Sequence, residues 1–253
     1  MLLAIDIGNT NIVVGVFDDS SLVRSWRLST RRETTADELE VLFRALLGGL
    51  LDGIDDAVVA SVVPPLTAPV LEATRALCKV APLEVAPGVK TGLRIRTDNP
   101  QEVGADRILN AVAAHSRHSG AVIVIDFGTA TTLDVVTSGG DYLGGVICPG
   151  LRLGAEALSQ RAARLPRVDL QPPQKVIGRN TNDSVRSGLL YGHATMVDGL
   201  VLRIEAELRG KATIVATGGL APVIGPLMER LDAVEDDLTL EGLRLVHRKN
   251  RKG

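Results

Sequence analysis

Leu3-Ala-Ile-Asp-Ile-Gly-Asn-Thr-Asn11 and Ile123-Val-Ile-Asp-Phe-Gly-Thr-Ala-Thr-Thr132 are two versions of one segment, an apolar strand that ends in aspartate and enters a Gly-containing turn. Asp6 matches Asp126 and Gly8 matches Gly128, both at an offset of 120 residues in a chain of 253. Each copy is followed by a second apolar run, Ile12–Phe17 and Leu133–Thr137. A repeat of this length divides the chain into two similar halves, each with a carboxylate and a hydroxyl- or amide-rich turn.

Working outward, the first half reads as strands at 2–7, 12–17 and 22–28. A helix announced by the capping box Thr35-x-x-Glu38 follows, with Leu39, Leu42, Phe43, Leu46, Leu47 and Leu50 in one stripe. A strand at 57–62 and a helix around 66–80 complete βββαβα. The second half repeats the order with strands at 121–125, 132–137 and 142–147, a helix at 151–163, a Pro-rich stretch at 165–179, a long helix at 181–208 and a strand at 212–216. Gly218-Gly219 precedes a further helix from Ala221, and a last helix covers 239–246. Helical spacing over 103–118 joins the halves. Apolar strands alternating with helices predict an α/β fold of two duplicated RNase H-like domains, 1–118 and 119–253, with a nucleotide-binding cleft between them.

Composition excludes several classes. The formal charge of −2 gives no electrostatic footprint for nucleic acid or an anionic membrane, and 2% aromatic residues leave no stacking platform for single strands. The basic stretch His247–Lys252 reads as a solvated terminus. Cys78 and Cys148 have no metal or redox spacing and read as buried thiols. No apolar run approaches the roughly 20 residues needed to cross a bilayer, and no signal segment is expected, so the expected location is cytoplasmic. His115 and His118 share a helix face without a third ligand and read as structural. Asp18-Asp19 and Glu235-Asp-Asp237 read as turns.

The chain lacks both G-x-x-x-x-G-K-[ST] and G-x-G-x-x-G after a strand. The turn at 6–11 offers another phosphate grip: Gly8 admits close backbone approach, Asn9, Thr10 and Asn11 supply donors, and Asp6 suits a hydrated Mg²⁺. Alone, Asn-Thr-Asn is equally hairpin chemistry; its recurrence as Asp126-Phe-Gly-Thr favours a ligand role.

The paired D-x-G-x-[ST] turns resemble the acetate and sugar kinase, Hsp70 and actin superfamily. Within it, Asp6–Asn11, Gly104-Ala-Asp-Arg107 and Asp126–Thr132 together resemble type III pantothenate kinase. Gly144-Gly-Val-Ile-Cys-Pro-Gly150, Asn180-Thr181 and Thr217-Gly-Gly219 match in the same order. The resemblance implies ATP-dependent phosphorylation of pantothenate, the first step towards coenzyme A. It further implies that Asp6, Ile7, Gly8, Asn9, Thr10, Asn11 and Thr129 hold ATP with Mg²⁺ and that Gly218 and Gly219 pass beneath the adenosine. Asp126 would serve a monovalent cation (K⁺ or ammonium). Gly104, Ala105, Asp106 and Arg107 would bind pantothenate with Asp106 as base, and Thr181 would reach substrate across a homodimer interface. A helix-start position is expected to keep Asp106 ionised, and Arg107 suits a substrate carboxylate. Where family members often carry an aromatic before Asn-Pro, this chain has Arg96-Thr-Asp-Asn-Pro100, which implies a different pocket wall. A kinase for another small hydroxylated acceptor and a non-catalytic accessory protein of the same fold are the alternatives.

Overall fold

The computed structural model describes residues 1–162 and 164–251. It divides into two compact units. The first comprises Met1–Leu93, Asp98–Ala113 and the chain from Asp237 onward; the second comprises Arg94–Thr97 and Ala114–Asp236.

In the first unit, β1 (Leu2–Ile7), β2 (Asn11–Asp18) and β3 (Ser21–Ser29) form an antiparallel meander. β4 (Asp56–Ser61) joins β1 in parallel and the two-residue β5 (Leu83–Glu84) joins β4, giving the order β3-β2-β1-β4-β5. Helix α1 (Ala36–Leu47) opens as its capping box requires: the Glu38 N–H donates to Thr35 Oγ1 at 3.3 Å, and the Thr35 N–H donates to Glu38 Oε2 at 2.8 Å. It ends at Gly48, whose φ of +50° stops the helix and leaves Leu50 in a 3₁₀ turn. The buried seam is therefore narrower than the apolar stripe: Leu39, Phe43 and Leu47 are buried, while Leu42 is exposed. Pro64 and Pro65 do more than end β4, because they occupy the first positions of α2 (Pro64–Cys78), where a missing N–H costs nothing. α1 and α2 bury Phe43, Leu66 and Val70 against Leu3, Ile5, Val14 and Val59.

In the second unit, β7 (Ala121–Phe127), β8 (Ala130–Val136) and β9 (Asp141–Pro149) repeat the meander; β3 and β9 match at an offset of 120 over their whole length. β10 (Ala212–Thr217) lies parallel to β7. The short β11 (Ala233–Val234) and β6 (Arg94–Ile95) complete the order β11-β10-β7-β8-β9-β6. Arg94 and Arg96 both donate to Asp141, at 2.7 and 2.8 Å, which pins β6 to the sheet edge and holds the Asp141 carboxyl well below its usual range. Helix α4 (Leu151–Arg161) follows β9 directly; the expected last residue of that helix, Ala163, lies outside the described residues. α5 (Thr181–Leu208) has 28 residues, or about 42 Å, and buries Leu190, Val197 and Val201 on the sheet. The Pro-rich stretch before it is tied down, since Ser187 Oγ donates to Val176 O at 2.5 Å and Tyr191 Oη to Pro173 O at 3.1 Å. Gly218-Gly219 leads only into the single turn α6 (Ala221–Ile224).

The ends differ most from expectation. α3 (Ala105–Arg117) starts in the first unit and finishes in the second, and α7 (Leu238–Arg251) belongs to the first, so no single boundary at residue 118 describes the division. The basic stretch is no solvated tail as far as Arg251: His247 and Arg251 pair with Asp56 at 2.8 and 2.7 Å, and Asn250 Nδ2 donates to Lys90 O at 2.9 Å. Lys252 lies outside the described residues. The apolar positions of α7, including Leu240, Leu243 and Val246, are what carry it back onto the sheet. Glu235, read as a turn residue, pairs with Arg117 and with His118 at 2.7 Å. Cys78 is buried, and burial pushes its thiol up to about 11, whereas Cys148 is only half-buried. No helix among the described residues is long and apolar enough to cross a membrane.

Candidate active site

In the first unit the parallel pair β1 and β4 runs Asp6 opposite Ala60 and Ile7 opposite Ser61. The chain leaves both strands at the same end, the place where open α/β sheets collect ligands. Beyond β1 the turn is closed by the Gly8 N–H donating to Asn11 O at 3.0 Å. Asn9 and Thr10 are exposed at its tip, and Asp6 is half-buried beneath it. Beyond β4, the Val62 N–H donates to Ile7 O at 3.0 Å, which seats the strand end beside the turn.

The Gly104–Arg107 segment comes to that same edge. A Cβ on Gly104 would lie 3.8 Å from Val62 Cγ1 and only 2.5 Å from Asp106 Oδ1. Glycine thus clears the space that the Asp106 carboxylate occupies. The Ile108 N–H donates to Gly104 O at 3.2 Å, so Gly104 starts the helical bonding of α3, with Ala105, Asp106 and Arg107 in its first turn. Asp106 Oδ1 accepts the Arg107 N–H at 2.8 Å. Burial pushes the Asp106 carboxyl up, and this outweighs the lowering by the Arg107 N–H and the guanidinium charge. The helix start favours the charged form, and burial works against it, so the proton affinity of Asp106 is above the ordinary, as suits a group that must accept a proton.

In the second unit β7 and β10 repeat the parallel pair, with Asp126 opposite Thr217. The β7–β8 turn is closed by the Gly128 N–H donating to Ala130 O at 3.1 Å, with Thr129 exposed. Gly218 has φ +91°, and a Cβ there would meet Asp126 Oδ1 at 2.3 Å and the Phe127 backbone at 2.8 Å. Gly219 is exposed beside it. Gly128 and Gly218 thus both lie against Asp126 Oδ1, where a Cβ at 128 would come within 3.3 Å and one at 218 within 2.3 Å. Thr181 is exposed at the start of α5, where Asn180 caps the helix by accepting the Asp183 N–H at 2.9 Å.

Of three supporting residues, Thr30 and His193 were not singled out from the sequence, and Gly150 entered only as the end of the Gly144–Gly150 motif. Thr30 holds the first turn: its Oγ1 donates to Gly8 O at 2.6 Å and its N–H to Thr10 O at 3.0 Å. His193 of α5 backs the second turn. Its Nε2 lies 2.9 Å from Thr131 Oγ1 and its ring centroid 6.0 Å from that of Phe127, the pair that closes the hairpin. Burial lowers the His193 pKa, which favours the neutral ring. Gly150 packs against the same turn, where a Cβ would sit 2.1 Å from Thr129 O. The repeat offers a signal for two of them, since Thr30 and Gly150 are also 120 residues apart.

The chain is similar to known proteins over its whole length. A family model described as type III pantothenate kinase matches residues 2–203. A type III pantothenate kinase of Geobacter sulfurreducens is 49% identical over 255 residues, covering all of both chains. One from Myxococcus xanthus is also 49% identical and covers 99% of each chain. Among solved structures, a Campylobacter jejuni protein described within the Baf family of transcriptional activators superposes with a TM-score of 0.64 at 19% identity, covering 99% of this chain and all of the other. A ROK hexokinase from Thermus thermophilus gives 0.55 at 14% identity and 97% coverage of each. These two likenesses show a shared fold.

Proposed function

Because the chain belongs to the type III pantothenate kinase family, we propose that Asp106 is the base of its reaction and that the turns after β1 and β7 grip the nucleotide. The reaction is ATP-dependent phosphorylation of pantothenate, which feeds coenzyme A synthesis, and the full-length kinase relatives disfavour a non-catalytic accessory role. The observation that carries the residue assignment is that Gly104, with the Asp106 carboxylate beside it, lies against Val62, whose N–H donates to Ile7 O at 3.0 Å where β1 enters the Asp6–Asn11 turn.

Phosphoryl transfer to an alcohol needs the hydroxyl held in line with the γ-phosphate, a proton acceptor beside it, and compensation of phosphate charge. Asp106 takes the hydroxyl proton. Arg107 pairs with the pantothenate carboxylate, and Gly104 and Ala105 admit the substrate close to the backbone. Asp6, Ile7, Gly8, Asn9, Thr10 and Asn11 carry the phosphates, with Thr129 contributing from the second turn and Gly218-Gly219 lying under the adenosine. A divalent ion bound to ATP supplies charge compensation, and Asp6 as a single carboxylate fits Mg²⁺, which keeps most of its waters. Asp126 would hold a monovalent cation, in keeping with the family resemblance and with the glycine main chain that packs against its Oδ1 at Gly128 and Gly218.

The reading includes a homodimer in the cytoplasm. It draws support from the outward face of α5, where Gly188, Gly192 and Gly199 have open space at their Cβ positions and Met196 and Leu202 are exposed. A second copy seated there would cover the helix that begins with Thr181. Sedimentation should show a dimer that Gly192→Trp converts to monomer; a native monomer, or a dimer indifferent to that substitution, would rule out this face.

ADP release measured with and without pantothenate, in K⁺ and then in Na⁺, tests the whole. Release should require pantothenate and be much faster in K⁺. Equal rates in both salts would remove the monovalent cation, and release without pantothenate dependence in either would remove the acceptor.

A further inference from the structure

Strands β1 and β3 match β7 and β9 at an offset of 120, while a turn one residue shorter sets β8 at 119 from β2; the position after the third strand is Thr30 in one copy and Gly150 in the other. These two residues stand behind the two turns. In the second unit the main chain itself closes the back of the turn: a Cβ on Gly150 would be 2.1 Å from Thr129 O and 2.9 Å from Gly128 O. In the first unit a side chain does it. Thr30 Oγ1 donates to Gly8 O at 2.6 Å while the Thr30 N–H donates to Thr10 O at 3.0 Å, so one residue ties two carbonyls of a four-residue turn.

The consequence follows from peptide planarity. In a trans peptide the C=O and the following N–H point in opposite directions. With Gly8 O directed at Thr30, the Asn9 N–H is directed away from it; with Thr10 O tied as well, the peptide on either side of the exposed tip is fixed. We infer that Thr30 is a positioning residue for ATP, holding the turn so that its main-chain donors face the phosphates. This rests on the reading of Asp6–Asn11 as the phosphate turn. The role is unequal between the halves, because Gly150 offers no removable group, whereas the first turn depends on one hydroxyl.

Thr30→Val keeps the shape and the backbone bond and removes only the hydroxyl; Thr30→Ser keeps the hydroxyl. Initial rates with ATP and pantothenate varied separately should give Thr30→Val a KM for ATP raised about 5–10-fold, as for one lost hydrogen bond. The KM for pantothenate should stay within about twofold, and Thr30→Ser should restore the native values. If Thr30→Val yields too little folded protein, Thr30→Ala read by ATP-induced thermal shift replaces it. An unchanged KM for ATP in the valine variant, an equal rise in both KM values, or a serine variant as impaired as the valine would overturn the inference. Thr10→Ala separates the two ideas. If it raises the KM for ATP while Thr30→Val does not, the phosphate turn stands and Thr30 is excluded; if neither moves it, the phosphate assignment itself fails.

Discussion

Gly150→Ala should damage both stability and nucleotide use, and the structure gives the size of the effect. Gly150 has φ −66° and ψ 156°, angles that any residue adopts, so backbone strain contributes nothing and only space is at issue. The new methyl would sit 2.1 Å from Thr129 O, 2.7 Å from Thr129 C and 2.9 Å from Gly128 O, against the 3.4 Å at which ordinary contact begins. All three obstacles are main-chain atoms and cannot swing aside like a flexible side chain. The turn must therefore move by roughly 1 Å, at an overpacking cost of about 2–3 kcal/mol. For a chain of this size that is a fall of roughly 4–12 °C in the unfolding midpoint. A 1 Å displacement of Thr129 should lower kcat/KM for ATP by ~10²-fold. Gly154→Ala is the control within the same helix: its methyl would meet only Leu189 Cδ2 at 3.9 Å, and helix propensity favours alanine by about 1 kcal/mol. Calorimetry and ADP-release kinetics on the pair decide the matter. A Gly150→Ala variant with native midpoint and native ATP kinetics would refute both the packing argument and the importance of that turn.

Asp106→Asn should lower turnover by ~10²-fold or more, as for loss of a general base. It should also raise the unfolding midpoint at neutral pH. The folded protein binds the Asp106 proton more tightly than the unfolded chain does, so the group's stabilising contribution is full at low pH and is lost as pH rises through the folded value. A lower midpoint for the variant at pH 7 would contradict the direction of that shift. Burial raises the Glu205 carboxyl, while bonds from Lys211 and the Ala212 N–H, with the charges of Lys211 and Arg230, more than reverse the effect. The net pKa is lowered, and the stability it brings is lost as pH falls. Glu205→Gln should therefore flatten the acid side of the stability profile, seen as melts at pH 4 and pH 7 that differ less than those of the native chain. Phe43→Ala, at a position with no exposure, should cost about 3–5 kcal/mol in denaturant unfolding; a cost below 1 kcal/mol would place the first unit's core elsewhere.

The duplicated meander was legible because β1 and β7 are apolar apart from the aspartate before their last residue, and the Gly-containing turns that follow repeat at one spacing. α1 was legible from its capping box at Thr35 and α5 from its long helical pattern; the Asn180 cap became visible only in the fold. The two-residue strands β5, β6 and β11 were not, since so short a segment has no period and owes its place to neighbours. Nor was the return of α7 to the first unit: its leucines announce a buried face but not what buries it. Asp6, Asp106 and Asp126 are proposed from motifs, yet the elevated proton affinity of Asp106 could not be read there, because burial is a property of the packed chain. Thr30 sits in an ordinary Leu-Ser-Thr run, and nothing in that run tells which carbonyl a hydroxyl will find.

The packing of α7 has a consequence for how the molecule is made. Gly242 approaches α3 so closely that a Cβ would meet Leu109 O at 2.2 Å, and Leu240 lies against Gly15 of β2. The first unit thus consists of residues from the beginning, the middle and the far end of the chain. On a ribosome, β1 to β4 emerge early but lack the cover that α7 gives one face of their sheet, while the second unit is synthesised in between and contains all its own strands. Order of synthesis and order of completion are therefore reversed: the half that carries Asp6 and Asp106 closes after the half that follows it. A chain clipped before α7 would then leave the first sheet uncovered while the second unit keeps all its strands, making α7 the element on which completion of the first unit waits.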